Sequence, residues 1–481
     1  MPKRPGSPIE SNAPAKITRF FQSKSSVSEQ RVQKSAASAL TSVESKPVTV
    51  TNTGKSEDAD GPPTTTGEIT NEMSTMELSE EDKIENLLNL SNLQSQDEIK
   101  ARFEKVATAL FSQYRLRVSR SKENPRRKKA TEVVQAEQEQ TSAGANEEEE
   151  TEEVLEHTDL QIMEMEFYLI SPDIHEDPFC HGSMEQVRYF HRAPKFNNPG
   201  EIGAAVGGAY RVGSRKGVDL TLGGPVIPPG SESASSPSKS GPPIRGGILL
   251  RSIRVVKTGV IISGPSLLVD FILTTAGADD LNTLVDEHWK GDIFALSPSN
   301  NSDTPTTKGG RLSRLSLIPL AQSNSSKKVQ QRLGEPVRAV PKIYRTPRIG
   351  LDLGHYMSKP VKENLRVSFV SRPYRYLIEP HLLKVNGRAQ TFAGMLKATM
   401  REFGLRTVPL GASDTAKVLK KIEKEGGYTT KTARSYLDYY TTGVQSGWSR
   451  LGTFCGANGK GVCQSPEKVL QMFGILSELD A

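Results

Sequence analysis

A chain of 481 residues is long enough for two or three average domains, but only 35% of it is hydrophobic and 6% aromatic, too little for packed structure throughout. The 62 basic and 56 acidic residues leave a net charge of +6; because Glu147–Glu150, Glu152, Glu153 and Glu156 form one acidic block, the remainder is more basic and suits a polyanionic partner. Three cysteines without a CxxC pair exclude a disulfide framework or a zinc module, and the absence of a long apolar run or a signal-peptide core argues against a membrane protein or a secreted one.

Residues 1–76 are rich in Ser, Thr, Pro and Lys and cannot bury enough surface to offset the entropy of folding, so a disordered tail is expected there. One apolar island interrupts it, in which helical spacing would set Ile17, Phe20 and Phe21 on a single face. This island resembles the box with which repair and replication proteins dock on the sliding clamp, although the leading Gln of that box falls at Pro14. Ordered sequence is expected from about residue 79. An acidic helix start at Ser79–Asp82 is followed by an amphipathic run, Ile99 to Leu116, with Phe103, Val106, Ala107, Leu110 and Phe111 at helical spacing. Three polar stretches near 119–153, 228–243 and 297–335 read as insertions outside the core, the first carrying a basic cluster, Arg126–Lys129, that suits nuclear import. Residues 381–481 read as a helical extension, with helices over Phe392–Phe403, Ala412–Glu425 and Lys431–Tyr440.

The segment Leu160–Ile170 reads as a strand with Met163, Met165, Phe167 and Leu169 on its core face. Ile162, Glu164, Glu166 and Tyr168 fall on the other face. Alternation alone turns that face to solvent; the alternative is a carboxylate beside a ring, able to activate a water while the ring offers a stacking surface. The loop that follows carries His175, Asp177 and His181. With His191 these could be metal ligands, but their spacing fits no common metal pattern, so hydrogen-bonding histidines are expected. Further on, Gly207–Gly223 reads as two strand-like pieces around a turn containing Tyr210, Arg211, Arg215 and Lys216, in which glycines and cations permit close approach to phosphates. Arg251 is a charge among aliphatic residues in Gly246–Ile253, where a buried Arg calls for an anionic partner.

In this order the segments resemble the alkyladenine (3-methyladenine) DNA glycosylase family. The resemblance is carried by Glu166-Phe167-Tyr168-Leu169 through Asp177 and His181, by Val218–Thr221, by Leu249-Leu250-Arg251-Ser252, by Gly264–Leu268 and by Thr346–Gly350, and it spans about residues 96–380 less the insertions. It implies that Glu166 deprotonates the attacking water, that Arg251 binds near that water or a phosphate, and that Tyr168 and His181 sandwich an everted purine. Asp219 stands where the family has a pocket Asn. The family's minor-groove wedge falls near Tyr210, Arg211 and Val212, and the Lys of its Gly-Pro-Ser turn is replaced by Leu267.

The expected fold is α/β: a single glycosylase domain over residues 79–380 with a curved, mostly antiparallel sheet and flanking helices, behind a disordered tail and before the helical extension. The expected function is excision of alkylated or modified purines from double-stranded DNA by a monomeric nuclear enzyme without cofactor or metal, with the replication clamp as a partner of the tail. The rival expectations are a non-catalytic DNA- or chromatin-binding protein on the same scaffold and a hydrolase of free nucleosides.

Overall fold

A computed structural model describes residues 83–122, 154–180, 189–191, 210–224, 244–296, 312–320, 341–354, 362–383 and 386–480. They belong to one compact unit, Thr75–Ala481. The tail with Ile17, Phe20 and Phe21 lies outside the described residues, as do the basic cluster and all of the acidic block except Glu156, which is part of a strand.

The fold is mixed helix and sheet. A curled antiparallel sheet runs in the order β4 (Tyr189–Phe190), β5 (Val218–Gly223), β6 (Arg245–Val255), β2 (Val154–Ser171), β1 (Tyr114–Lys122) and β8 (Ser313–Pro319). β3 (His175–Glu176) and β10 (Arg375–Leu377) pair with β2, β9 (Tyr344–Thr346) pairs with β10, and β7 (Ile261–Ser263) pairs with β6. β2 is the organising strand. At 18 residues it is long enough for β6 to cover one edge while β1 and then β10 share the other.

A short helix α1 (Ile84–Leu88) leads into α2 (Gln96–Ser112), the expected amphipathic run, which stops at Ser112 instead of Leu116 because the chain from Tyr114 pairs as strand β1. Ser95 Oγ accepts from the Glu98 N–H and the Glu98 carboxylate accepts from the Ser95 N–H, so two otherwise orphaned donors are satisfied reciprocally. The apolar stripe of α2 then meets the sheet: Phe103 stacks on Phe167 with centroids 4.5 Å apart and meets Tyr374 edge-on at 5.3 Å. On the other side of the chain's midpoint, α3 (Pro265–Ala276) starts at Pro265, whose missing N–H costs nothing in a first turn, and stops at Gly277 in the left-handed region.

Two strands fall inside expected insertions. β1 continues through Ser119–Lys122, and β8 occupies Ser313–Pro319. Both are half polar, and pairing partners compensate: Arg117 on β1 forms a two-pronged ion pair with Asp159 of β2, and Leu116 and Val118 fill the core. The second strand-like piece around the basic turn is β5, whereas on the first side the described part is the single bridge residue Tyr210.

The helical extension comprises α5 (Arg388–Glu402), α6 (Ala412–Gly426), α7 (Thr430–Ser446) and α8 (Pro466–Ile475), after a short α4 (Leu365–Val370). It is packed onto the sheet. A β-carbon on Gly394 of α5 would lie 2.4 Å from the Arg345 carbonyl oxygen of β9, so only glycine lets the helix come this close. Among the described residues no helix is long and apolar enough to cross a membrane.

Candidate active site

Both faces of β2 are buried. Met163, Met165, Phe167 and Leu169 fill one side as alternation requires, but Ile162, Glu164 and Glu166 on the other are also shielded, so the solvent-facing alternative for this face does not hold. On that second face Glu164 and Glu166 are met by side chains of the neighbouring strands, Arg251 of β6 and Arg375 of β10, and Glu166 and Tyr168 by the Arg348–Ile349 segment.

Glu166 is fully buried and meets three donors. Its Oε2 accepts from Tyr168 Oη at 2.8 Å and from Arg251 Nη1 at 3.2 Å, and its Oε1 accepts from the Ile349 backbone N–H at 2.7 Å. Arg251 reaches this place because the β2–β6 register shifts twice: Ile162 pairs with Ile253 and Glu164 with Ser252, then Met165 with Leu250. Met163 and Arg251 are thus left out of the pairing. Such bulges re-aim side chains, and here the result is that Arg251 spans Glu164 (Nε to Oε1, 3.2 Å) and Glu166.

Glu164 is the second buried carboxylate. It accepts from Arg375 Nε at 2.6 Å and from Ser252 Oγ at 2.5 Å as well as from Arg251. Burial opposes its ionisation, but Arg375 and Arg251, aided by the hydroxyl, outweigh burial and hold its carboxyl below the usual range. Arg375 is itself fixed by Thr346 Oγ1 and by Thr391 Oγ1 of α5, both 3.0 Å away, so the helical extension contributes directly to the support of this cluster.

A third ion pair closes the loop side. Arg348, wholly buried, donates through both terminal nitrogens to Asp177, through Nη1 also to the Phe167 carbonyl at 3.0 Å, and lays its guanidinium over the Tyr168 ring at 4.5 Å. One face of Tyr168 is therefore occupied by a cation. Burial and the adjacent Glu166 carboxylate push the Tyr168 phenol well above its ordinary range, so it remains a donor. For Arg251 and Arg348 burial opposes the charge, but the facing carboxylates prevail and raise both.

Asp219 stands in the same cross-strand row. Glu166 and Asp219 both lie opposite Leu249, one on each side of β6, which sets the three side chains on one face. Asp219 faces His191 as an ion pair, with Nε2 2.7 Å from Oδ2 but outside hydrogen-bond alignment. Burial works against charge on His191, but Asp219 outweighs it and the imidazole is raised above its usual range.

Of the expected site residues, the structure brings Glu166, Tyr168 and Arg251 into contact and sets Asp219 one strand away. His181 lies outside the described residues. Tyr210 is half-buried and packs edge-on against Phe190, which stacks on Trp289, so its ring is drawn into the core. The apolar side chain presented to solvent in that turn is Val212, 79% exposed. Arg211 is half-buried and Arg215 exposed, while Lys216 is held by Asp270 of α3. His175 is a hydrogen-bonding core histidine: Nδ1–H donates to the Leu169 carbonyl at 3.0 Å and Nε2 accepts from Tyr374 Oη at 2.8 Å. Among the described residues no group of three or more His, Cys, Asp or Glu is arranged to hold a metal.

Sequence reasoning missed Glu164, Arg348, Arg375 and the role of His191. Arg375 carried a usable signal, the same as that of Arg251: one cation set in an apolar run, Tyr374 to Ile378.

The comparisons with known proteins leave the family open. No family model matches the chain, and no solved structure matches it. It is similar to an uncharacterized protein of Acanthamoeba polyphaga mimivirus, 35% identical over 117 residues, which is 24% of this chain and 46% of the relative. The chain thus spans less than half the length of that relative.

Proposed function

We propose that the protein is a monofunctional DNA glycosylase that hydrolyses the N-glycosidic bond of an alkylated or otherwise modified purine after flipping it from the duplex. The observation that carries this reading is the meeting of Glu166 and Tyr168 of β2 with Arg251 of β6 in one buried cluster, three residues that the family resemblance singles out from two segments of the chain. In the reaction, Glu166 accepts a proton from water as the oxygen attacks the sugar carbon, and the glycosidic bond breaks with its electron pair leaving on the purine. A cationic alkylated purine departs neutral, so a single base suffices. Arg251 steadies the carboxylate, and the half-buried Tyr168 ring offers the stacking surface. No lysine nucleophile takes part, so the strand is not cut. Arg215 and Val212 at the exposed turn contact phosphates and groove.

A second reading has its own observation. Glu164, Glu166 and Asp177 are matched by Arg251, Arg348 and Arg375, and both Glu166 oxygens already have donors. This balance fits a DNA- or chromatin-binding protein that keeps the scaffold without catalysis. A gel assay on duplexes bearing one alkylated purine separates the two: base release by wild type and not by Glu166→Gln supports the enzyme, whereas duplex binding without release by either protein supports the scaffold.

A further inference from the structure

His191 follows the two-residue strand β4 directly and meets the turn after Tyr210 at both of its ends. The Arg211 N–H donates to the His191 carbonyl at 2.8 Å, and the His191 N–H donates to the Gly217 carbonyl at 3.0 Å. The ring meets Asp219 in an ion pair, Nε2 2.7 Å from Oδ2. Gly217 leaves the space for it: a β-carbon there would lie 2.7 Å from His191 Cε1, closer than real side chains come.

The entry and exit of the turn are thus tied to one residue, and its ion pair with Asp219 links that residue to the sheet. On the far side, Ser266 Oγ donates to the Gly213 carbonyl at 2.7 Å and Asp270 takes Lys216. Val212, Gly213, Ser214 and Arg215 are exposed, and of these Arg215 carries the charge and Val212 the apolar side chain.

We infer that His191 and Asp219 are a positioning pair for nucleic-acid binding, holding the Arg211–Lys216 turn in the form that presents Arg215 and Val212 to a duplex. The inference rests on the nucleic-acid reading proposed above and adds to it the residue that organises the contact. A turn fixed beforehand loses less conformational freedom on binding, so its affinity depends on the clamp even though the clamp touches no DNA. It also accounts for Asp219 standing in place of an amide. A carboxylate can form an ion pair with the imidazole, which Asn cannot, and a buried carboxylate needs such a partner.

The experiment uses the full chain and a fluorescein-labelled, undamaged duplex read by anisotropy over a range of salt, with amide hydrogen exchange of the free protein measured in parallel. His191→Gln and Asp219→Asn are each expected to weaken binding by about tenfold and to lower the salt slope by about 1, with the double variant no weaker than the worse single one. Exchange at residues 211–217 should rise in all three. Arg215→Ala, at an exposed position, should lower the slope similarly with exchange unchanged. Unchanged exchange in His191→Gln and Asp219→Asn overturns the positioning role, whatever happens to affinity. Raised exchange with wild-type affinity and slope overturns its link to nucleic acid. If exchange rises but the wild type itself binds no duplex, the nucleic-acid reading fails and takes the inference with it, while the clamp on the turn stands.

Discussion

The Tyr168 hydroxyl donates to Glu166 Oε2 at 2.8 Å from only two residues further along the same strand. Two adjacent positions on one sheet face rarely hydrogen-bond when both look into water, where each has better-hydrated alternatives. Here the face is closed, and the bond supplies a partner that burial makes necessary.

This arrangement makes Glu166→Gln the most direct test of the chemistry. The amide keeps the shape and one acceptor, so Ile349 N–H retains its bond, but the group can no longer take a proton from water. Single-turnover release of an alkylated purine should fall by about 10²–10⁴-fold, the usual worth of a general base, with duplex affinity within a few-fold of wild type. Release at an undiminished rate would remove Glu166 from the reaction.

Tyr168→Phe separates the ring from the hydroxyl. The Arg348 stack at 4.5 Å survives, while Glu166 Oε2 keeps only Arg251. Urea unfolding should show a loss of about 1–2 kcal/mol, and purine release should be reduced less than in Glu166→Gln. Tyr168→Ala should cost more on both counts because it also uncovers the Arg348 guanidinium.

Arg375→Met tests the support beneath the site. Removing this cation leaves Glu164 with Arg251 and Ser252 alone, and takes a donor from the hydroxyls of Thr391 and of Thr346, which keeps its bond to the Pro347 carbonyl. Breaking a buried pair by deleting one partner typically costs about 3–5 kcal/mol, readable as a lowered urea midpoint with little change in slope. The double variant Arg375→Met with Glu164→Gln should recover part of that loss, since no unpaired charge then remains.

The order of legibility follows from what alternation can report. β2 was readable because Met163, Met165, Phe167 and Leu169 recur at period two, and Arg251 because a lone cation in an apolar strand demands an anion. That the second face of β2 is also buried was not readable, since its cover comes from Arg348 and Arg375, roughly two hundred residues later. β1 and β8 escaped notice for a related reason: Arg117 and Arg314 look like solvated loop residues until Asp159 and the neighbouring strands are in place. The Asp219–His191 pair joins two short segments across a long intervening stretch, and nothing in either segment names the other.

His175 gives the protein a stability slope on the acid side of neutrality. Burial lowers its pKa from 6.5 to about 4, against the pull of the Leu169 carbonyl and Asp177. The sign follows from counting protons. Between about 6.5 and 4 the unfolded chain binds a proton that the folded chain refuses, so stability is whole above 6.5 and declines as pH falls towards 4. The full loss is about 3 kcal/mol, from roughly 1.4 kcal/mol per pKa unit. Glu164, whose folded pKa is depressed, acts lower down: its contribution is present above the unfolded carboxylate range near 4.5 and disappears as pH falls below it. Urea unfolding at pH 7, 5.5 and 4.5 should therefore show a decline already between the first two values, before carboxylates titrate. His175→Gln can still donate to the Leu169 carbonyl but has no proton to gain, and should flatten that early decline. A decline of equal size in the variant would assign it to other groups.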